Sequence, residues 1–177
     1  MVQALQALTQ SSSETTSAIL FEIEQLFRGH VPNIFKVYAK YRPLLEANWN
    51  KFKRIMLDGK LRRKVKEAMA LLISCDNECK YCVAAHTAAL HSMKFDEAKI
   101  FNMLQDLWPA DFTEKEIALI KFTRKANLHW HSIGKAERDE LLDCGVNESE
   151  MLEVFGVMEI FIAFNRFADV MGIEIDF

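Results

Sequence analysis

Three of the four cysteines and one of the five histidines fall within residues 75–86, as Cys75, Cys79, Cys82 and His86. Cys79 and Cys82 form a Cys-x-x-Cys pair, and His86 lies four residues after Cys82. On a helix, positions three and four apart share a face. A helix over 79–90 therefore sets Cys79, Cys82 and His86 in one stripe. Two thiols with an imidazole over one of them is an arrangement for redox chemistry. A helix start stabilises a thiolate through its partial positive charge and free N–H groups, which favours Cys79, the thiol nearer the terminus. Proton removal by an imidazole one turn on favours Cys82 instead. The residues alone leave both assignments open.

Glu67 lies twelve positions before Cys79, among apolar neighbours. A turn at 75–78 lays its helix antiparallel to the next and brings Glu67 beside His86. A carboxylate behind an imidazole orients it as a base. Adding Cys75 gives Cys-x3-Cys-x2-Cys, with Tyr81 before the last cysteine. That spacing resembles the iron–sulfur motif of radical S-adenosylmethionine enzymes. Those enzymes are β/α barrels, and this chain shows neither strand–helix alternation nor a following Gly-Gly-Glu. A zinc site from the same four residues would span about 16 Å on one continuous helix. Bonds of about 2.0–2.3 Å to zinc cannot bridge that span unless the chain folds back at Asp76-Asn77. Cys75 reads as a packed small residue. His129 and His131 read as helix-end or loop residues, His91 as packing or surface, His30 as loop, and Cys144 as a buried thiol.

The elements that must hold these groups read as helices throughout. Apolar residues at Ala18, Ile19, Phe21, Ile23, Leu26 and Phe27 follow helical spacing, and Gly29 and Pro32 close that helix. Asn33 is placed to cap a short helix through Tyr41. Pro43 opens the next, which stops at Asp58-Gly59. Helices follow over Leu61–Ser74, from Cys79 to about Met93, and over Asp96–Leu107. Thr113 with Glu116 forms a capping box for the next. A short helical segment runs from Gly134 to Cys144-Gly145. Asn147 caps a last helix that is apolar on more than one face, so it is expected in the core or between subunits. The expectation is an all-α, single-domain bundle of about eight helices over residues 14–177, after a flexible or partly helical lead-in over 1–13.

Composition narrows the class. Half of the 177 residues are hydrophobic, enough for one substantial core. A net charge of -3 with mixed signs carries no nucleic-acid footprint. The basic stretch Lys60–Lys66 reads as a solvated helix start. No apolar run reaches the roughly 20 residues of a membrane span, and no signal peptide is visible. The thiols are therefore expected in a reducing, cytoplasmic compartment.

Glu67, Cys79, Cys82 and His86, read as Glu-x11-Cys-x-x-Cys-x3-His, resemble the signature of alkylhydroperoxidase D (AhpD)-like proteins of the carboxymuconolactone decarboxylase superfamily. Gly29-His30-Val31-Pro32-Asn33 and Phe164-Asn165-Arg166-Phe167 with Gly172 are similar to the same superfamily. The resemblance implies a peroxidatic Cys82, a resolving Cys79, His86 as base and Glu67 as its proton-relay partner. Where the family's best-known peroxidases carry a histidine between the cysteines, this chain has Tyr81. A phenol exchanges protons less readily at neutral pH, so Tyr81 is a slower candidate relay. The resemblance implies hydroperoxide substrates, no bound cofactor, a lipoyl or thioredoxin-like dithiol reductant, and a homo-oligomer (trimer or hexamer). Two other functions use the same residues. One is a decarboxylase or isomerase acting on a small lactone through Glu67 and His86. The other is a non-enzymatic redox-sensing protein that uses the disulfide.

Overall fold

The helix ends are written in short-range capping chemistry. Thr113 and Glu116 close a reciprocal capping box, as do Asn147 and Glu150, and the Asp96 carboxylate accepts from the Lys99 N–H. The structure, a computed structural model, describes residues 15–177. The lead-in expected over 1–13 lies outside the described residues. Nine α-helices follow among the described residues: α1 (residues 15–26), α2 (Asn33–Tyr38), α3 (Arg42–Phe52), α4 (Arg63–Asp76), α5 (Lys80–Ser92), α6 (Glu97–Leu104), α7 (Glu114–His129), α8 (Lys135–Asp143) and α9 (Glu148–Val170). No strand occurs among them, so the fold is all-α as expected.

The described residues form two compact units. One runs from residue 15 to Lys53 and includes Asp176; the other runs from Arg54 to Ile175 and includes Phe177. In the first, Phe35, Trp49 and Phe52 pack ring against ring, with centroids 5.4–5.8 Å apart. Glu22 accepts from Trp49 Nε1 at 2.9 Å and from Lys53 Nζ at 2.7 Å. Asn33 is not the cap it was expected to be. It is the first residue of α2, behind Pro32, and its N–H donates to Asp176 Oδ2 at 2.8 Å. His30, a loop residue as expected, pairs with the same carboxylate at 3.0 Å.

The second unit carries the candidate site. Its centre is α4, whose residues Val65–Ser74 are all buried, packed against α5, α7 and α9. The Lys60–Lys66 stretch corrects the expectation of a solvated helix start. Lys66 is 1% exposed; its Nζ donates to Glu153 Oε1 at 3.0 Å and to Ile55 O at 2.7 Å. A buried lysine needs such partners because desolvation otherwise penalises its charge. Glu153 in turn accepts from the N–H groups of Lys60 and Leu61. The pair thus ties α4, α9 and the loop between. Gly59 is required there, since a Cβ would come within 1.9 Å of Glu153 Oε1.

Five of the helices, α4, α5, α6, α8 and α9, end in the same way. A residue with positive φ follows the cap, and two N–H groups return to the last turn. At the end of α4 that residue is Glu78, at φ 59°. The Glu78 N–H reaches Cys75 O at 3.1 Å, and the Cys79 N–H reaches Ser74 O at 3.0 Å. Glycine fills this position at Gly145 and Gly172, but not here.

Candidate functional site

Cys79, whose N–H closes back on Ser74 O in the last turn of α4, is also the N-cap of α5. The turn is so short that α4 and α5 form a tight hairpin. Cys79, Cys82 and His86 then follow along one face of α5, as their spacing requires. All three are buried, and both thiols are free.

Glu67 arrives from α4 as expected. Its Oε2 lies 2.7 Å from His86 Nδ1. Its Oε1 accepts from Arg63 Nε at 2.6 Å, one turn earlier on the same helix. Burial would raise the Glu67 carboxyl. The hydrogen bond and charge of His86, with the charge of Arg63, outweigh it and hold the group below its ordinary value. A carboxylate at Nδ1 makes that nitrogen the donor, so neutral His86 keeps its lone pair on Nε2. This is the tautomer a general base needs.

The third wall is α9, which meets α5 in antiparallel register. Phe161 stands edge-on to His86, with centroids 4.3 Å apart at 89°. One turn on stands Asn165, which acts to lower the Cys82 thiol. One further turn on stands Asp169, whose carboxylate acts to raise the Cys79 thiol. Asn165 is 1% exposed and fully engaged: Nδ2 donates to Ser74 Oγ at 3.0 Å, and Oδ1 accepts from Asn77 Nδ2 at 2.9 Å. Asn127 of α7 completes the chain, donating to Asn77 Oδ1 at 3.1 Å.

The two thiols shift each other in opposite directions. The Cys82 thiol and the Cys82 backbone N–H lower the Cys79 thiol, against burial and the Asp169 carboxylate, which raise it. Cys79 and burial in turn push the Cys82 thiol up, with Asn165 opposing them. The helix-start thiol is thus the more acidic of the two.

Tyr81 is buried, its ring against Phe177 with centroids 5.5 Å apart. Cys75 stands apart from the pair and lines an open, apolar groove of about 850 Å³ with Val83, Ala84, Ile175 and Phe177. Burial and the neighbouring Asp76 carboxylate push its thiol up. Cys144, expected buried, is exposed at the end of α8. His129 and His131 are exposed around the end of α7, and His91 bonds Phe95 O at 2.8 Å. Among the described residues no three His, Cys, Asp or Glu side chains converge as a metal site, and no helix is long and apolar enough to cross a membrane.

Arg63, Phe161 and Asp169 were not anticipated, and Asn165 was noticed only within a resemblance. Arg63 had a local signal, standing four residues before Glu67. Asn165 also had one, a carboxamide in the middle of the apolar α9.

Residues 43–125, which contain all four motif residues, match the carboxymuconolactone decarboxylase family. A search for relatives among curated proteins gives no match. Solved structures share the fold over nearly the whole chain. An uncharacterized peroxidase-related protein from Silicibacter sp. TM1040 is 26% identical, with a TM-score of 0.82 over 93% of this chain and 85% of its own. A peroxidase-related protein with an alkylhydroperoxidase AhpD core from Ralstonia eutropha JMP134 is 23% identical, with a TM-score of 0.80 over 92% and 86%. The debrominase Bmp8 is 21% identical and has the same fold, with a TM-score of 0.77 over 94% and 88%. The chain thus matches the carboxymuconolactone decarboxylase family over the helices that carry Glu67, Cys79, Cys82 and His86, and it shares its fold with peroxidase-related proteins of the AhpD type.

Proposed function

We propose that the protein reduces hydroperoxides through the Cys79–Cys82 dithiol. The observation that carries this reading is the buried Glu67–His86 hydrogen bond, on the helix pair that bears two free thiols. The family includes both peroxidase-related and decarboxylase members; the thiol pair favours the first.

His86 Nε2 takes the proton of Cys82, and Glu67 stabilises the imidazolium that results. The Cys82 thiolate attacks the terminal oxygen of the hydroperoxide, and the O–O bond breaks. The departing alkoxide takes the proton back from His86 and leaves as an alcohol. Cys82 is then a sulfenic acid. The Cys79 sulfur attacks it, the S–O bond breaks, and the hydroxide leaves as water with the Cys79 proton. An external dithiol, lipoyl or thioredoxin-like, reduces the resulting disulfide. Tyr81, between the thiols in sequence, is proposed to assist proton exchange. Assembly of copies through exposed apolar residues of α9, such as Leu152 and Val170, and a cytoplasmic setting belong to the same reading.

The test is hydroperoxide turnover with a dithiol donor. Cys82→Ser is expected to abolish it. Unchanged turnover in that variant overturns the mechanism. A lactone-directed acid–base enzyme would instead tolerate loss of both cysteines and fail without His86.

A further inference from the structure

The two oxygens of Glu67 have different partners. Oε2 faces His86 Nδ1 at 2.7 Å. Oε1 faces Arg63: Nε donates to it at 2.6 Å, and Nη2 lies 2.5 Å from it. A guanidinium often meets a carboxylate fork to fork, with one donor on each oxygen. Here both donors fall on a single oxygen, so the other is left for the imidazole. The third nitrogen, Nη1, reaches back to Met56 O at 3.5 Å. Glu67 and His86 are buried, whereas the Arg63 side chain is 30% exposed. The cation that balances the buried carboxylate therefore keeps part of its own hydration.

Charge decides what this row of groups can do. A buried carboxylate with no other cation draws a full proton onto an imidazole beside it, because an opposite charge within about 4–6 Å favours the charged form. An imidazolium has no lone pair left for a thiol proton. With Arg63 on Oε1, the Arg63–Glu67 pair carries no net charge, and the ring need not be charged to balance the carboxylate. A guanidinium stays charged across the working pH range, so the balance is fixed.

We propose that Arg63 is a positioning residue of the proton relay, which takes up the charge of Glu67 through Oε1 so that Oε2 orients His86 as a neutral ring with Nε2 free. Arg63 acts through Glu67. The inference deepens the peroxidase reading and rests on its assignment of His86 as the base.

Other titratable groups around this end of α5 are engaged or set apart. On α4, Lys66 is held by Glu153 of α9 at 3.0 Å. On α9, Phe161 faces the ring, and Asp169 lies two turns beyond it. On α6, which also packs on α5, Lys99 pairs with Asp111 and Glu97 is exposed. Cys82, one turn before His86 on α5, is the group that titrates against the ring, and the test removes it.

The test reads the ring proton by NMR. Full-length chains carrying Cys82→Ser, with and without Arg63→Met, are labelled with isotopic nitrogen in histidine and followed across a pH series. The signals lost in His86→Gln assign the ring. Arg63→Met should raise the ratio of imidazolium to neutral ring at His86 by about tenfold, the change for about one pKa unit. Arg63→Gln, a second neutral variant, should do the same, so either one that folds decides the outcome. Arg63→Lys keeps the charge and should bring the ratio back to within about threefold of the Cys82→Ser chain. A ratio in the neutral variants within twofold of that chain at every pH overturns the proposal. No peroxide and no attacking thiol are present, so this failure is distinct from failure of the peroxidase reading, which is decided by turnover of Cys82→Ser.

Discussion

Glu67 Oε2 and His86 Nδ1 meet at 2.7 Å across a two-helix hairpin, and the carboxylate is 1% exposed. The carboxylate so placed is held by His86 and by Arg63, and the consequences can be measured.

The first concerns pH. The Glu67 carboxyl is held below its ordinary value in the folded chain. Its stabilisation is therefore complete above the unfolded carboxylate value, about 4.3, and is lost as pH falls through the lower folded value. Glu67→Gln should remove that acid-side loss. It should also lower stability near pH 7 by about 2–3 kcal/mol, since Arg63 and His86 lose a charged acceptor. Denaturant melts at several pH values check both effects.

Glu78 occupies the left-handed region without being glycine, which costs about 1 kcal/mol. Glu78→Gly should raise stability by about 0.5–1 kcal/mol, or about 1–4 °C in Tm for a chain of this size. Glu78→Val should lower it. Thermal unfolding of the two variants reads opposite signs.

The buried Lys66–Glu153 pair is asymmetric. Glu153→Leu strands the Lys66 ammonium and the N–H groups of Lys60 and Leu61, and should cost about 3–5 kcal/mol. Lys66→Met leaves the Glu153 carboxylate still accepting from both N–H groups, so it should cost less. Equal losses in urea melts would contradict this ranking.

The resolving role given to Cys79 has a direct consequence. Cys79→Ser should consume about one equivalent of hydroperoxide and stop, leaving a sulfenic acid on Cys82 that dimedone traps. Mass spectrometry of the trapped chain locates the adduct. An adduct on another cysteine would reverse or remove the assignment.

The parts of the molecule legible in sequence were those governed by near neighbours. Thr113 with Glu116, Asn147 with Glu150 and the breaks at Gly145 and Gly172 lie within one turn of the ends they set, so the helices could be placed. The stripe of Cys79, Cys82 and His86 follows from spacing alone. The meeting of Glu67 with His86 followed once a turn was placed after Cys75. What escaped depended on contacts distant in sequence. Lys66 looked solvated because Glu153, which permits its burial, is 87 residues away. Asp169 is 90 residues from Cys79, and only the register of α9 on α5 brings them together. Cys144 is small and apolar enough for the inside, but it follows the end of a polar helix and stays out.

The turn at Asn77–Cys79 ends one helix and begins the next with no spare residue. In a helix each residue advances about 100° around the axis. One residue inserted or removed there would swing the face of α5 by that angle, carrying the thiols away from Asn165 and Asp169 and His86 away from Glu67. The hairpin is therefore a strict spacer, in which chain length between Ser74 and Lys80 fixes the chemistry as firmly as the identity of the cysteines.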